Sequence, residues 1–254
     1  MAFVAAAGRS LNYAWVQGDE GKPVLVFLHE GLGSVGQWRD FPAKLAAATG
    51  CRALVYDRYG YGQSDVLAEP RRTVRFMHDE ALDALPEMLA ALKVENPILV
   101  GHSDGASVAL IHAGAGHPVR GVVAMAPHVF IEPVCLSSIV KAAQAFETTD
   151  LAQKLGRYHR DARKTFYGWA DVWLDPEFKG WDIRGDYLPG VRCPVLAIQG
   201  HGDEYGTMAQ LDEIARRVRA PCELLKLENC GHSPFRDQPD AVVSRVVSFV
   251  KKLP

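Results

Sequence analysis

Short, unbroken apolar runs recur along the chain at residues 24–28 (Val-Leu-Val-Phe-Leu), 98–100, 121–126 and 195–199. They are too short for helices and lack polar alternation, which predicts strands buried on both faces. Residues 11–17 roughly alternate and read as an edge strand, while 52–56 and 223–227 read as further strands. Between them, apolar residues fall at helical spacing over 38–48, 73–92, 106–114, 207–219 and 241–252. Pro86 lies inside the second of these and predicts a kink. Strands alternating with helices predict an α/β fold, with a mostly parallel sheet covered by helices on both faces. The alternation stops between residues 130 and 188. Two helical stretches stand there, 132–149 and 151–174, rich in aromatic side chains, followed by a less regular tract that closes at Pro189-Gly190. This predicts a helical cap, 130–188, inserted into a core made of 1–129 and 189–254. The cap aromatics are expected to form mostly a small core of their own.

The chemistry-bearing residues lie where the strands end. Gly101-His102-Ser103-Asp104-Gly105 follows the apolar run Ile98-Leu99-Val100 and precedes a helical run. Gly-x-Ser-x-Gly between a strand and a helix puts the serine on a tight turn, with its hydroxyl pushed out of the sheet. It also aims the N-terminus of the following helix at the same point, where backbone N–H groups favour developing negative charge. A serine hydroxyl needs a base before it attacks, and the base needs a group to orient it. Asp203, in the loop after the strand 195–199, and His232, in the loop after 223–227, both emerge at carboxyl ends of strands, the edge where Ser103 lies. Glu204 is the alternative acid.

These motifs together resemble the α/β-hydrolase family with a cap, over nearly the whole chain. The resemblance rests on Leu28-His29-Glu30-Gly31, Asp57-x-x-Gly60-x-Gly62-x-Ser64, Gly101-His102-Ser103-Asp104-Gly105, Gly200-x-x-Asp203 and Gly231-His232, in that order. It implies Ser103 as nucleophile, His232 as general base and then general acid, and Asp203 as the group holding the His232 tautomer. It implies an oxyanion hole from the N–H groups of Asp104 and Gly31, with Leu32 as a shifted alternative. The chain departs from the family pattern at two places: Glu30 stands where glycine is usual, and Asp104 puts a carboxylate on a donor residue. Either side chain near the site disfavours an anionic substrate group; the expectation is that both point away and bond loop backbone. His29 is expected to brace the oxyanion loop, Asp57 and Ser64 to hold their own turn, and His102 to pack beneath the sheet edge. The pocket candidates are Glu30, Leu32, His128, Phe146, Trp169 and Trp173.

Composition narrows the function. The net charge of −2 gives no electrostatic case for nucleic acid or an anionic membrane surface. No run approaches the length of a membrane span, and the stretch from Met1 to Arg9 lacks the charged start of a secretory signal. The five scattered cysteines, with no Cys-x-x-Cys, read as reduced thiols in a cytoplasmic protein. No metal-ligand spacing recurs and no cofactor is expected. The resulting expectation is a serine hydrolase of small or medium carboxylic esters, acting on a small-molecule substrate, with the oligomeric state left open. The serine argues against relatives with an aspartate nucleophile. Three alternatives stand. One is hydrolysis of a carbon–carbon bond in a ring-cleavage dienoate, with Arg58, Arg157 or Arg163 holding the substrate carboxylate. The second is perhydrolase or haloperoxidase-like activity. The third is a non-catalytic ligand-binding relative.

Overall fold

The computed structural model describes residues 2–69 and 71–254; Met1, the first residue of the expected core segment, lies outside them. Among the described residues one sheet holds eight strands: β1 (Ala2–Ala6), β2 (Arg9–Val16), β3 (Leu25–Leu28), β4 (Ala53–Tyr56), β5 (Ile98–His102), β6 (Gly121–Met125), β7 (Val195–Gly200) and β8 (Cys222–Leu227), in the spatial order β1-β2-β4-β3-β5-β6-β7-β8. β1 and β2 pair antiparallel, as do β2 and β4. All the other pairs are parallel. β1, absent from the sequence expectation, adds an outer strand beside β2.

The apolar runs of the inner strands are buried along their whole length, and their side chains alternate between two layers. Val26, Leu28, Leu54, Tyr56, Leu99, Val122 and Ala124 enter one layer. Leu25, Phe27, Ala53, Val55, Ile98, Val100 and Val123 enter the other. That period of two sends each residue to the face opposite its neighbour, so both faces need helices. The first layer packs against α2 (Phe76–Asp79), α3 (Leu85–Ala91), α4 (Asp104–Gly114) and α8 (Ala209–Arg217). The second packs against α1 (Phe41–Thr49), α9 (Pro234–Asp237) and α10 (Pro239–Val250).

The expected kink at Pro86 takes the form of a π turn, Glu80–Ala84, between α2 and α3. The Leu85 N–H reaches back to the Glu80 carbonyl. The next donor in that register would be Pro86, which has none. His112 Nδ1–H instead donates to the Ala81 carbonyl at 2.7 Å, from the neighbouring α4.

Between β6 and β7 stand α5 (Pro133–Thr148), α6 (Leu151–Leu155) and α7 (Ala162–Leu174). The single helix expected over 151–174 is thus two, split by residues 156–161. The split has a purpose in the packing. His159 turns inward, accepts the Gly62 N–H at 2.8 Å on Nδ1, and donates from Nε2 to the Leu32 carbonyl at 3.0 Å. The Arg160 N–H donates to the Gly62 carbonyl and Thr165 Oγ1 to the Gly60 carbonyl. A continuous helix keeps the Arg160 N–H for itself and loses that tie. The inserted aromatics also depart from expectation. Phe146, Phe166, Trp169, Trp173 and Phe178 belong to one contiguous apolar cluster with the first sheet layer, rather than to a separate core.

β3 and β5 are neighbours, yet the chain leaves β3 towards β4 on one side and β5 towards β6 on the other. Loops at the carboxyl ends of two such strands diverge and leave a crevice, the place where open parallel sheets bind ligands. The crevice depends on a close approach at Gly105, where an added Cβ would stand 2.0 Å from the Leu28 carbonyl oxygen at the end of β3. Gly105→Ala is expected to destabilise the protein by about 2 kcal/mol or more through overpacking against backbone. A thermal melt checks this, and an unchanged midpoint counts against the close approach.

Candidate active site

Ser103 ends β5 and precedes α4 with φ 53° and ψ −120°, a conformation L-residues rarely adopt. Two glycines make it possible. A Cβ at Gly101 would stand 2.4 Å from the Gly105 carbonyl oxygen, and Gly105 itself lies against the end of β3. The serine is 6% exposed. Its hydroxyl donates to His232 Nε2 at 2.9 Å, and His232 Nδ1–H donates to Asp203 Oδ1 at 2.8 Å.

The two loops carrying Asp203 and His232 are tied together by backbone. The Gly202 N–H donates to the Cys230 carbonyl, and the His201 N–H to the Leu227 carbonyl, each at 2.9 Å. An added Cβ at Gly200 would stand 2.1 Å from the Cys230 carbonyl oxygen, so only glycine permits this approach. Asp203 accepts the Tyr205 N–H at 2.8 Å, and Gln199 Nε2 donates to its second oxygen at 3.2 Å. Burial works against the Asp203 charge, but the His232 hydrogen bond and the Tyr205 N–H outweigh it, and the carboxyl titrates below its usual range. Burial also works against a charged His232; the Asp203 hydrogen bond and charge outweigh it and raise the imidazole above its ordinary value.

Glu204, the alternative acid, does not meet the imidazole; its Oε2 accepts the His232 backbone N–H at 3.3 Å. His102 does more than pack beneath the sheet edge. Its Nε2–H donates to the His232 carbonyl at 2.7 Å, and its Nδ1 lies 3.3 Å from Glu30 Oε2. Glu30 also pairs with Arg236 at 3.4 Å. Burial disfavours its charge, and His102 and Arg236 more than offset that, so Glu30 titrates well below the carboxylate range. The expectation that Glu30 bonds loop backbone is corrected: it holds His102, which holds the His232 loop. Sequence reasoning missed Arg236 and Gln199. The signal for Arg236 was its place four residues after His232; Gln199 ends a buried apolar strand, where an amide needs partners.

The Asp104 side chain is likewise corrected. It bonds no backbone: it is 1% exposed and neither carboxylate oxygen has a hydrogen-bond donor among the described residues. Arg58 Nη2 stands 3.9 Å away. As expected for a brace, His29 donates from Nδ1 to the Glu30 carbonyl and accepts the Arg58 N–H on Nε2. Asp57 accepts the N–H groups of Val35 and Gln63, and Ser64 donates to the Asp57 carbonyl. The N–H groups of Asp104, Gly31 and Leu32 donate to no protein acceptor among the described residues.

Of the pocket candidates, Trp169 lies directly on the loop after β3: a Cβ at Gly31 would stand 2.1 Å from its Nε1. Trp173 meets His128 edge-on at 4.9 Å between ring centres, and His128 lies 5.9 Å from His232. Burial, then the His232 charge, pushes the His128 imidazole down to about 3, so it stands neutral. Leu32 meets the insert through the His159 bond to its carbonyl. Phe146 is removed from the pocket list: it stacks on Phe166 at 4.2 Å, a ring layer behind Trp169. Arg157 and Arg163 are exposed, the latter paired with Glu147, and neither joins the site.

A family model described as "Alpha/beta hydrolase family" matches residues 25–245. The 3-oxoadipate enol-lactonase 1 of Acinetobacter baylyi is 24% identical, with 97% of this chain and 95% of that protein covered. Among solved structures, an enol-lactonase from Burkholderia xenovorans is 21% identical, with a TM-score of 0.76 and 99% of this chain and 100% of that chain covered. A structure reported among carboxylesterases of the thaumarchaeon Nitrososphaera gargenis is 16% identical, with a TM-score of 0.80 and 98% of each chain covered. At these identities the structural likeness is one of fold.

The Asp203–His232 bond makes a measurable demand. An imidazolium beside a carboxylate gives up its proton at higher pH, so the His232 ring is expected to titrate above 6.5 in the wild-type protein. In Asp203→Asn that midpoint is expected to fall. Histidine NMR titration checks both; a midpoint that ignores the substitution would detach His232 from Asp203.

Proposed function

The chain belongs to the alpha/beta hydrolase family and is a hydrolase, and within that family we propose that it cleaves small or medium carboxylic esters through an acyl-enzyme on Ser103. The observation that carries this reading is the unbroken relay of Ser103 Oγ, His232 and Asp203, at 2.9 and 2.8 Å, behind a serine held at positive φ. In the proposed reaction Ser103 Oγ attacks the ester carbonyl carbon and its proton passes to His232 Nε2. The oxyanion accepts hydrogen bonds from the N–H groups of Asp104 and Gly31. Collapse of the tetrahedral intermediate breaks the bond to the alcohol oxygen, which takes the proton from His232. Water then adds to the acyl-enzyme as His232 accepts its proton, and release of the acid returns that proton to Ser103. Asp203 accepts from Nδ1 throughout and keeps Nε2 facing the serine. None of these steps calls on a cofactor.

The alternative of carbon–carbon hydrolysis asked for an arginine free to hold a carboxylate. Arg58 is the nearest, and its Nη2 donates to the carbonyls of His29 and Glu30 instead. With Glu30 and Asp104 close by, that supports an uncharged or cationic acyl group over an anionic one. A cytoplasmic location is supported by five unpaired cysteines, and among the described residues no helix is long and apolar enough to cross a membrane.

Hydrolysis of p-nitrophenyl esters of increasing chain length tests the reading. Ser103→Ala is expected to lower kcat/KM by about 10⁴-fold or more, and a fluorophosphonate is expected to form its adduct on Ser103, detected by mass spectrometry. Equal activity of wild type and variant refutes the nucleophile; a wild type inert across the series refutes the ester substrate. In wild type, kcat/KM is expected to rise with pH as His232 loses its proton and to level off above a midpoint higher than 6.5.

A further inference from the structure

Four acidic side chains stand around the serine and its base; the exposed Glu204 accepts the His232 backbone N–H, and of the three less exposed ones only one has its oxygens free. Those of Asp203 accept from His232, Tyr205 and Gln199. Those of Glu30 meet His102 and Arg236. Asp104, 1% exposed, has no donor on either oxygen among the described residues. Arg58 supplies the compensating charge from 3.9 Å, beyond hydrogen-bond distance, while its Nη2 donates to two loop carbonyls. Arg58 and Arg72 offset the Asp104 charge only in part, so burial raises the carboxyl, and its lone pairs have no donor. A buried acceptor in that state gains when a ligand brings the missing donors.

Asp104 opens α4 directly after Ser103, at the carboxyl end of β5 where the crevice lies. The cations that face it are Arg58, at 3.9 Å, then Arg72 and His232. One peptide bond separates Asp104 from Ser103, and their Cα atoms lie about 3.8 Å apart. Of the atoms of a substrate seated on Ser103, those beside the attacked carbonyl are the ones nearest this residue in the chain.

We propose that Asp104 is a specificity residue that receives an ammonium group on the carbon beside the scissile carbonyl, which makes esters of α-amino acids the favoured substrates. The inference rests on the acyl-enzyme reading of Ser103. An ammonium offers three donors of opposite charge to two free oxygens. Of the cations that face the carboxylate, Arg58 has its Nη2 committed to the His29 and Glu30 carbonyls, and Arg72 has its Nη2 committed to the Tyr59 carbonyl. The Asp104 backbone N–H remains aimed at the oxyanion, so one residue handles both ends of the same small acyl group.

The test compares kcat/KM for the benzyl esters of L-alanine and propanoic acid, which differ by the amino group alone. Wild type is expected to favour the alanine ester by about 10- to 100-fold. Asp104→Asn and Asp104→Ala are expected to bring that ratio to within about threefold of one. A wild-type ratio of one or less overturns the proposal, and so does a high ratio that survives both substitutions. Because the ammonium group itself activates the ester, each ratio is taken relative to the spontaneous hydrolysis rates of the two esters at the same pH; where neither variant folds, the wild-type ratio so corrected decides. If wild type cleaves neither these nor the p-nitrophenyl esters, the acyl-enzyme reading fails and the proposal falls with it. If it cleaves p-nitrophenyl esters but neither benzyl ester, that reading stands and calorimetric titration of Ser103→Ala with the two benzyl esters judges Asp104: tighter binding of the alanine ester, lost on adding Asp104→Asn, sustains the assignment, and equal binding ends it.

Discussion

The site hangs on the backbone of Ser103. A serine at φ 53° and ψ −120° occupies a sparsely populated region, at a cost of about 1–3 kcal/mol. Nothing local repays that; the sheet does. Leu28 pairs with Gly101, and Gly101 with Ala124, so the turn is fastened to strands on both sides. Gly105 then rests on the end of β3, closer than any Cβ permits. The turn cannot relax without parting β3 from α4. Because it cannot, the hydroxyl points at His232, and the first N–H of α4 stays free of a protein acceptor.

Around that turn, environment gives three carboxylates three different states. Asp203 is buried but surrounded by donors, and is held ionised against His232. Glu30 is buried between His102 and Arg236 and serves as an anchor for the His232 loop. Asp104 is buried with a counter-charge and no donor, so burial raises it while Arg58 and Arg72 pull it back. Identical chemistry thus yields an orienting group, a tether and a free acceptor. The difference lies in the partners each finds, because desolvation is common to all three.

Those partners explain what the sequence made legible. The inner strands could be read because each is a continuous apolar run, and the carboxyl ends of β5, β7 and the edge strand β8 located Ser103, Asp203 and His232 on one edge. The spans for α4 and α10 needed little more than helical spacing. What escaped reading depended on contacts far apart in sequence. The break between α6 and α7 exists because His159 has partners at Gly62 and Leu32, and nothing in residues 151–174 announces them. Phe146 and Trp169 carry the same aromatic signal, yet one stacks inside the insert and the other lies on Gly31. The side chain of Asp104 could not be placed because its state is defined by donors it lacks.

The insert and the loop after β3 form one mechanical unit. Trp169 occupies the space a side chain at residue 31 would need, His159 holds the Leu32 carbonyl, and Tyr158 packs within 3.2 Å of where a Cβ on Gly36 would stand. Close-packed interiors transmit displacement rather than absorb it. A movement of α7 therefore turns the peptide that carries the Gly31 N–H. The insert thus sets the position of the loop after β3, so the packing of α7 and the geometry of that loop are not separable properties of this fold.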